Sequence, residues 1–219
     1  TDEENDILMR FGKVFQQTYT RFLDLQKAEA QAREAQINLA VERVRARALA
    51  MFNSEEILEV VIKLKEEVMN LNIPGVVAAT IHLKEKNGMH RMWDLSSAEQ
   101  DGKNMHLPLD VIYKLEESDP NFYIRKLWGN SQTYFLVKQD RNDLKITTNW
   151  LRANGKKKEA DEADQFLDTL EFNFLYHPTI QLNNGRMAID LLDETPPQEM
   201  ESSQIKMGAA WELAEKRFK

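Results

Sequence analysis

The sequence predicts an α+β protein, with a long N-terminal helix, an antiparallel sheet flanked by helices, and a closing C-terminal helix. Three observations carry this. Residues 22–52 contain no Gly, Pro or Cys and are filled by Ala, Glu, Gln and Arg, with Ile, Leu and Val at helical spacing. Two stretches, VVAATIHLKEKNGMHRMWDLS (76–96) and FNFLYHPTIQLNNGRMAIDLL (172–192), set alternating apolar residues on either side of an Asn-Gly pair, the pattern of a β-hairpin. The element order, reading helix, helix, two strands, helix, strand, helices, two strands, helix, fits an antiparallel layer with helices packed on one face.

The first helix should run from about residue 6 to residue 52. Asp2, Glu3, Glu4 and Asp6 lie at its start, where the helix dipole favours negative charge. Leu8, Phe11, Phe15, Phe22 and Leu25 form one apolar seam, and Ile37, Val41, Val44, Ala48 and Met51 form a second, heptad-like one. The seams are out of register across KAEAQAREAQ (27–36), where Ala28, Ala32 and Ala35 replace bulky side chains, and such a phase shift alters supercoil winding. A helix of about 46 residues spans roughly 70 Å at 1.5 Å per residue. A homodimer joined along the second seam is the economical way to cover it. Arg43, Arg45 and Arg47 alternate with apolar positions and read as a solvated helix face rather than a nucleic-acid contact.

Beyond the rod, Asn53 or Ser54 with Glu55 and Glu56 should cap a helix reaching residue 71, its buried face formed by Ile57, Val60, Leu64, Val68 and Leu71. NIPG (72–75) stops it. The first hairpin turns at Asn87–Gly88, and a short helix is expected over 109–115. A strand over 133–137 and helices over 140–153 and 157–170 follow. The second hairpin should turn at Asn184–Gly185, with Pro178 marking an edge position or a bulge. DETPPQ then breaks the chain before the last helix.

The two ends resemble each other. MRFGKVFQQTYTRFL (from residue 9) and IKMGAAWELAEKRFK (from residue 205) align at one offset. Arg10 meets Lys206, Gly12 meets Gly208, Phe15 meets Trp211, and Arg21–Phe22 meets Arg217–Phe218. The expected organisation is therefore residues 1–26 as the closing helix of an upstream module, 27–52 as a coiled-coil linker, and 53–219 as a sheet-bearing domain with its own closing helix. The repeat points to one link of a tandem array, and a first residue of Thr rather than Met to an excised fragment.

Composition narrows the chemistry. The chain has 219 residues, 42% hydrophobic and 30% charged, with a net charge of -7, so phosphate backbones should be repelled. No apolar run approaches the ~18 residues needed to span a bilayer, and no signal peptide opens the chain. The absence of Cys excludes disulfides and thiolate chemistry and fits a reducing, cytoplasmic setting. His82, His90, His106 and His177 form no ligand spacing, although His82 and His90 lie across the first hairpin. There is no GxGxxG, P-loop or GxSxG. Paired acids such as Asp161–Glu162 and Asp193–Glu194 read as solvated surface, so no catalytic residue, metal or required cofactor is assigned. Aromatic residues are spread over the strands, and a small-ligand pocket is expected from Arg91, Trp93, Tyr134, Tyr176, His177 and Arg186.

The segment LQKAEAQAREAQINLAVERVRARALAM…SEEILEVV, with RFGKVFQQTYTRFLDL before it, resembles the signalling-helix linkers and GAF-like modules of multidomain bacterial sensors of the Bacteroidetes type. The resemblance is specific over about 50 residues and looser over 75–198. It implies a sheet-plus-helix sensor, not itself an enzyme, placed upstream of a histidine kinase or nucleotide cyclase output and linked covalently to neighbouring signalling domains. The Cys used by bilin-binding relatives is missing, so no ligand carries over. The alternative is a ligand-free dimerisation scaffold, without nucleic-acid or membrane contact from this segment.

Overall fold

The computed structural model describes residues 2–53, 56–100, 103–116 and 119–216. Residues 1–39 and 40–219 form two compact units. Helix α1 (Asp2–Leu49) is one unbroken helix, with Asp2, Glu3 and Glu4 in its first turn. Over residues 7–25 its apolar side chains face solvent: Phe11 is 71% exposed and Phe15 63%, and Ile7, Leu8, Val14, Phe22 and Leu25 are exposed as well.

The second unit is built on a six-stranded antiparallel sheet of order β3-β2-β1-β6-β5-β4. Its strands are β1 (Val76–Lys84), β2 (His90–Gln100), β3 (Lys103–Tyr113), β4 (Tyr134–Gln139), β5 (Leu175–Leu182) and β6 (Gly185–Leu192). Five further helices complete it, namely α2 (Ile57–Asn70), α3 (Phe122–Gly129), α4 (Arg141–Ala153), α5 (Lys157–Thr169) and α6 (Gln198–Glu215). None of the helices among the described residues is long and apolar enough to cross a membrane.

Helices cover both faces of the sheet, not one as expected. Successive strand residues point to opposite faces, so the pairing register assigns each side chain. Ile81, Trp93 and Met187 share a face with Leu83 and Ile180, and this face carries α2 and α6. Thr80, Asp94, Met92 and Val111 share the other, which packs on α3, α4 and α5 through Ile124, Leu127, Trp150, Leu151 and Ala163. Helix α6 buries Met200, Met207 and Trp211 completely, each contributing about 1.5–3 kcal/mol of transfer free energy.

Several local features depart from the sequence reading. Residues 109–115 are not a helix. Their apolar positions belong largely to β3, where Leu109 pairs with Asp94 and Val111 with Met92. Helix α3 was not anticipated; Asn121 caps it by accepting from the Ile124 amide. The Ser54 and Glu55 of the proposed cap lie outside the described residues, and α2 starts without a side-chain cap. Helix α4, by contrast, begins with a capping box between Asp140 and Asp143.

Pro178 sits on an interior strand rather than an edge. It pairs with Leu136 of β4, the ladder to β6 is interrupted at His177 and Pro178, and the freed Pro178 carbonyl accepts from Gln204 of α6 at 2.9 Å. The edge proline is Pro108, in β3. The second hairpin turns at Asn183–Asn184, because Gly185 already pairs with Leu182 as the first residue of β6. A Cβ there would collide with the His82 carbonyl of β1, so close strand approach requires Gly.

The second seam of α1 also falls elsewhere. Val44, Ala48 and Met51 are buried within the second unit, together with Ala40. Arg43 pairs with Glu67, and Arg47 with Glu56 and Glu59. Ile37 is buried and Val41 half-buried. Val44, Ala48 and Met51, covered within their own unit, cannot form a dimer seam.

The glycines matched at the two ends test the packing. A Cβ at Gly208 would strike Ile180 and touch Leu182, whereas a Cβ at Gly12 meets nothing within 4 Å. Gly208→Ala should lower unfolding stability in urea by about 1–3 kcal/mol. Gly12→Ala should leave the melt unchanged and raise helix content by circular dichroism.

Candidate functional site

Between the sheet and helices α4 and α5 lies a cavity of about 120 Å³. Met92, Leu109, Leu151, Phe166 and Leu192 provide apolar walls, and its polar lining includes Thr80, Asp94, Ser96, Gln139, His177 and Asp190. Three strands bring the acids and the imidazole together. Asp94 of β2 pairs with Thr80 of β1, Asp190 of β6 pairs with Ala78 of β1, and His177 stands on β5 beside β6.

The polar groups are tightly organised. The Asp94 carboxylate accepts from the Thr80 hydroxyl at 2.6 Å and from the Ser96 hydroxyl at 2.9 Å. The His177 Nδ1 lies 2.8 Å from Asp190 Oδ1, and the Tyr123 ring packs on the imidazole with centroids 4.5 Å apart. The His177 Nε2 is buried without a partner. Gln139 donates to Thr147 at 3.2 Å along the α4 wall. Burial pushes the Asp94 carboxyl up to about 7, repulsion from Asp190 adds to this, and the two hydroxyls and Lys65 act against it. Lys65 of α2 is lowered to about 8, chiefly by desolvation, against the pull of Asp94 and Asp190.

The six residues expected to line a pocket do not share one. Arg91, Trp93, Tyr134 and Tyr176 lie on the α2/α6 face, while His177 and Arg186 lie on the α3/α4/α5 face. Arg91 forms a two-pronged pair with Asp110, at 2.8 and 2.6 Å, and stacks over Trp93. Tyr176 packs beside Phe174, with Lys138 over both rings. Burial raises the Tyr134 hydroxyl to about 12. Arg186 is spent on the carbonyls of Leu127 and Asn130, and its guanidinium lies over Trp128. Of the six, only His177 lines the cavity.

The histidines of the first hairpin are structural. His82 Nδ1 contacts the Tyr113 hydroxyl at 3.0 Å, and that hydroxyl also accepts from Trp128 at 2.8 Å. Burial, with the electrostatic influence of His90, His177 and Arg186 acting in the same direction, lowers His82 to about 3, so it is neutral. His90 lies against Trp128 at 4.4 Å. Among the described residues no group of three His, Cys, Asp or Glu could hold a metal ion.

Asp94 and Asp190 were the residues missed. Their signal lies in the segments RMWDL (91–95) and RMAIDLL (186–192), each of which sets one acid inside an otherwise apolar strand. A buried carboxylate costs several kcal/mol unless partners offset it, so an acid at such a position marks a polar site.

No protein-family model matches the chain, and no curated protein matches it. Among solved structures, the phycoerythrobilin-bound GAF domain from a cyanobacterial phytochrome is similar at a TM-score of 0.45 and 12% sequence identity, over 85% of this chain and 98% of that one.

The raised Asp94 carboxyl gives a pH test. Between its ordinary value near 4 and about 7 the native state binds the extra proton, so Asp94 makes stability fall as pH rises through that window. His82, lowered in the fold, acts oppositely between about 3 and 6.5. Asp94→Asn removes only the first contribution. Urea melts should therefore show the variant gaining stability relative to the parent from pH 5 to pH 8, and a constant difference would contradict the assignment.

Proposed function

We propose that this chain is a GAF-like regulatory sensor module of a larger signal-transduction protein, binding a small molecule in the cavity and relaying its state through helices. The cavity carries the reading. It is a mostly apolar recess with a few convergent polar groups, the usual form of a small-ligand site. Such a space under the helices of the sheet lowers stability unless something fills it. The position of the site also suits a relay, because the sheet separates it from α2, α6 and residues 40–49 of α1.

The exposed stripe of the first unit supports the relay half of the proposal. At the offset of 196 residues, Phe11 corresponds to Met207, Gly12 to Gly208, Val14 to Ala210 and Phe15 to Trp211. All four α6 residues are buried on the sheet, whereas Phe11, Val14 and Phe15 are exposed. A helix patterned to close a module of this kind, yet lacking its sheet, is what a link in a tandem array presents. The matched Arg217 and Phe218 lie outside the described residues. In the isolated chain two copies would bury the stripe against each other, giving a homodimer held by residues 7–25. The output would be a covalently attached kinase or cyclase, and the module itself performs no catalysis.

A ligand-free dimerisation scaffold is the second reading, and the long apolar stripe favours it. A thermal-shift screen of small metabolites separates the two, since a ligand at a hundred times its Kd adds about 2.7 kcal/mol to stability. The sensor reading requires at least one stabiliser whose effect disappears in Leu151→Trp, which fills the cavity. A broad screen without a stabiliser would favour the scaffold.

Self-association gives an independent check. Sedimentation should report a dimer at micromolar concentration. Phe11→Glu with Phe15→Glu should shift it to monomer without altering the melt. Val44→Glu should instead destabilise the second unit by about 3 kcal/mol or more, because it buries an unpaired charge.

A further inference from the structure

The chemistry of the cavity's polar end narrows the ligand, an inference that rests on the cavity being the binding site. Its hydrogen-bonding groups are acceptors in excess. Asp94 takes the hydroxyl protons of Thr80 and Ser96 and retains free lone pairs. Asp190 accepts from His177 Nδ1, which leaves Nε2 as the unengaged nitrogen of the ring. This nitrogen belongs to a side chain only 3% exposed, and it has no partner. No Lys or Arg is among the described residues lining the cavity. The Thr147 and Thr148 hydroxyls that also line it are spent on the Asp143 and Lys145 carbonyls, and Gln139 donates to Thr147.

Size sets the other limit. An apolar cavity of about 150 Å³ accommodates benzene, and this one is about 120 Å³. Tetrapyrroles and nucleotides are far larger and carry negative charge that two buried carboxylates would repel.

We propose that the cavity takes a small protonated amine with an apolar body, about five or six heavy atoms in all, its ammonium donating to Asp94, Asp190 and His177 Nε2 while the body lies against Met92, Leu109 and Leu151. An ammonium offers three donors and one charge, matching the three acceptors. Other titratable groups bear on the same site. Tyr123 of α3 packs on His177 and stays protonated, its hydroxyl raised well above its ordinary value by burial. Lys65 of α2 acts on both carboxylates from across the sheet. Amine binding would favour the charged form of Asp94, so a proton leaves that carboxyl at neutral pH and the binding heat depends on the buffer.

The test is calorimetry on the full chain with isobutylamine, isobutanol and isobutyrate, which share one apolar shape. The expected result is that the amine binds at least about tenfold more tightly than the alcohol, that isobutyrate does not bind, and that amine binding releases protons near pH 7. Asp94→Asn should weaken the amine by about tenfold or more and leave the alcohol unchanged. Asp190→Asn, which retains a hydrogen-bonding side chain beside His177, should do the same if the first variant folds poorly. Equal binding of amine and alcohol, tighter binding of isobutyrate, or an unaltered amine affinity in both variants overturns the amine assignment while leaving the cavity as a ligand site. Failure of all three compounds to bind at about 10 mM overturns both.

Discussion

Everything in the second unit depends on a sheet that is covered on both faces. Adjacent residues of one strand must then satisfy two different environments, because the side-chain period is two. Met92 and Trp93 show the consequence. Met92 borders the cavity, while Trp93, one residue on, is buried on the α2/α6 face with an indole 1% exposed. The same alternation separates Tyr176 from His177 and Ile189 from Asp190. One face carries α2 and α6, and the other carries α3, α4 and α5 together with the cavity and its acids.

The two faces also treat charge differently. On the helical face Glu67 is almost fully buried but pairs with Arg43 and Lys63, both of which keep part of their surface in water. Such a pair has both signs present and its desolvation is partly offset. On the cavity face Asp190 lies 2.8 Å from His177 Nδ1 and Asp94 is held by two hydroxyls, with no Lys or Arg among the described lining. That arrangement costs stability unless a proton or a ligand supplies the missing charge. It is poor packing chemistry and good recognition chemistry, which is why the polar end of the cavity, rather than the aromatic residues, identifies the site.

Much of the fold was legible because local rules and tertiary structure agreed. The Gly88 turn has the positive φ its hairpin needs, and helices α2, α4 and α5 lie close to where their periodicity placed them. The errors came where tertiary context decided. Leu109, Ile112 and Tyr113 have helical spacing, yet β2 offered a paired edge and the segment became β3. Pro178 was tolerated inside the sheet because Gln204 of α6, distant in sequence, satisfied its carbonyl. In α1 the heptad pattern of Val44 and Ala48 was real, but the same spacing serves a domain's own core. For the site, parity alone excluded the expected group, since neighbours Tyr176 and His177 on one strand cannot face one pocket. The acids that matter were visible as Asp94 and Asp190 within apolar strands. What brings them together, the order β2-β1-β6-β5, is a non-local pairing that no short window encodes.

The central claim is that open space lies between the sheet and helices α4 and α5. Methyl NMR under xenon pressure tests it most directly, because xenon enters apolar cavities without demanding a particular chemistry. The account predicts saturable shifts at Met92, Leu109 and Leu151, with Met187 and Met207 unmoved. Silent resonances around Met92 and Leu151, or shifts centred instead on Met187 and Met207, would contradict it.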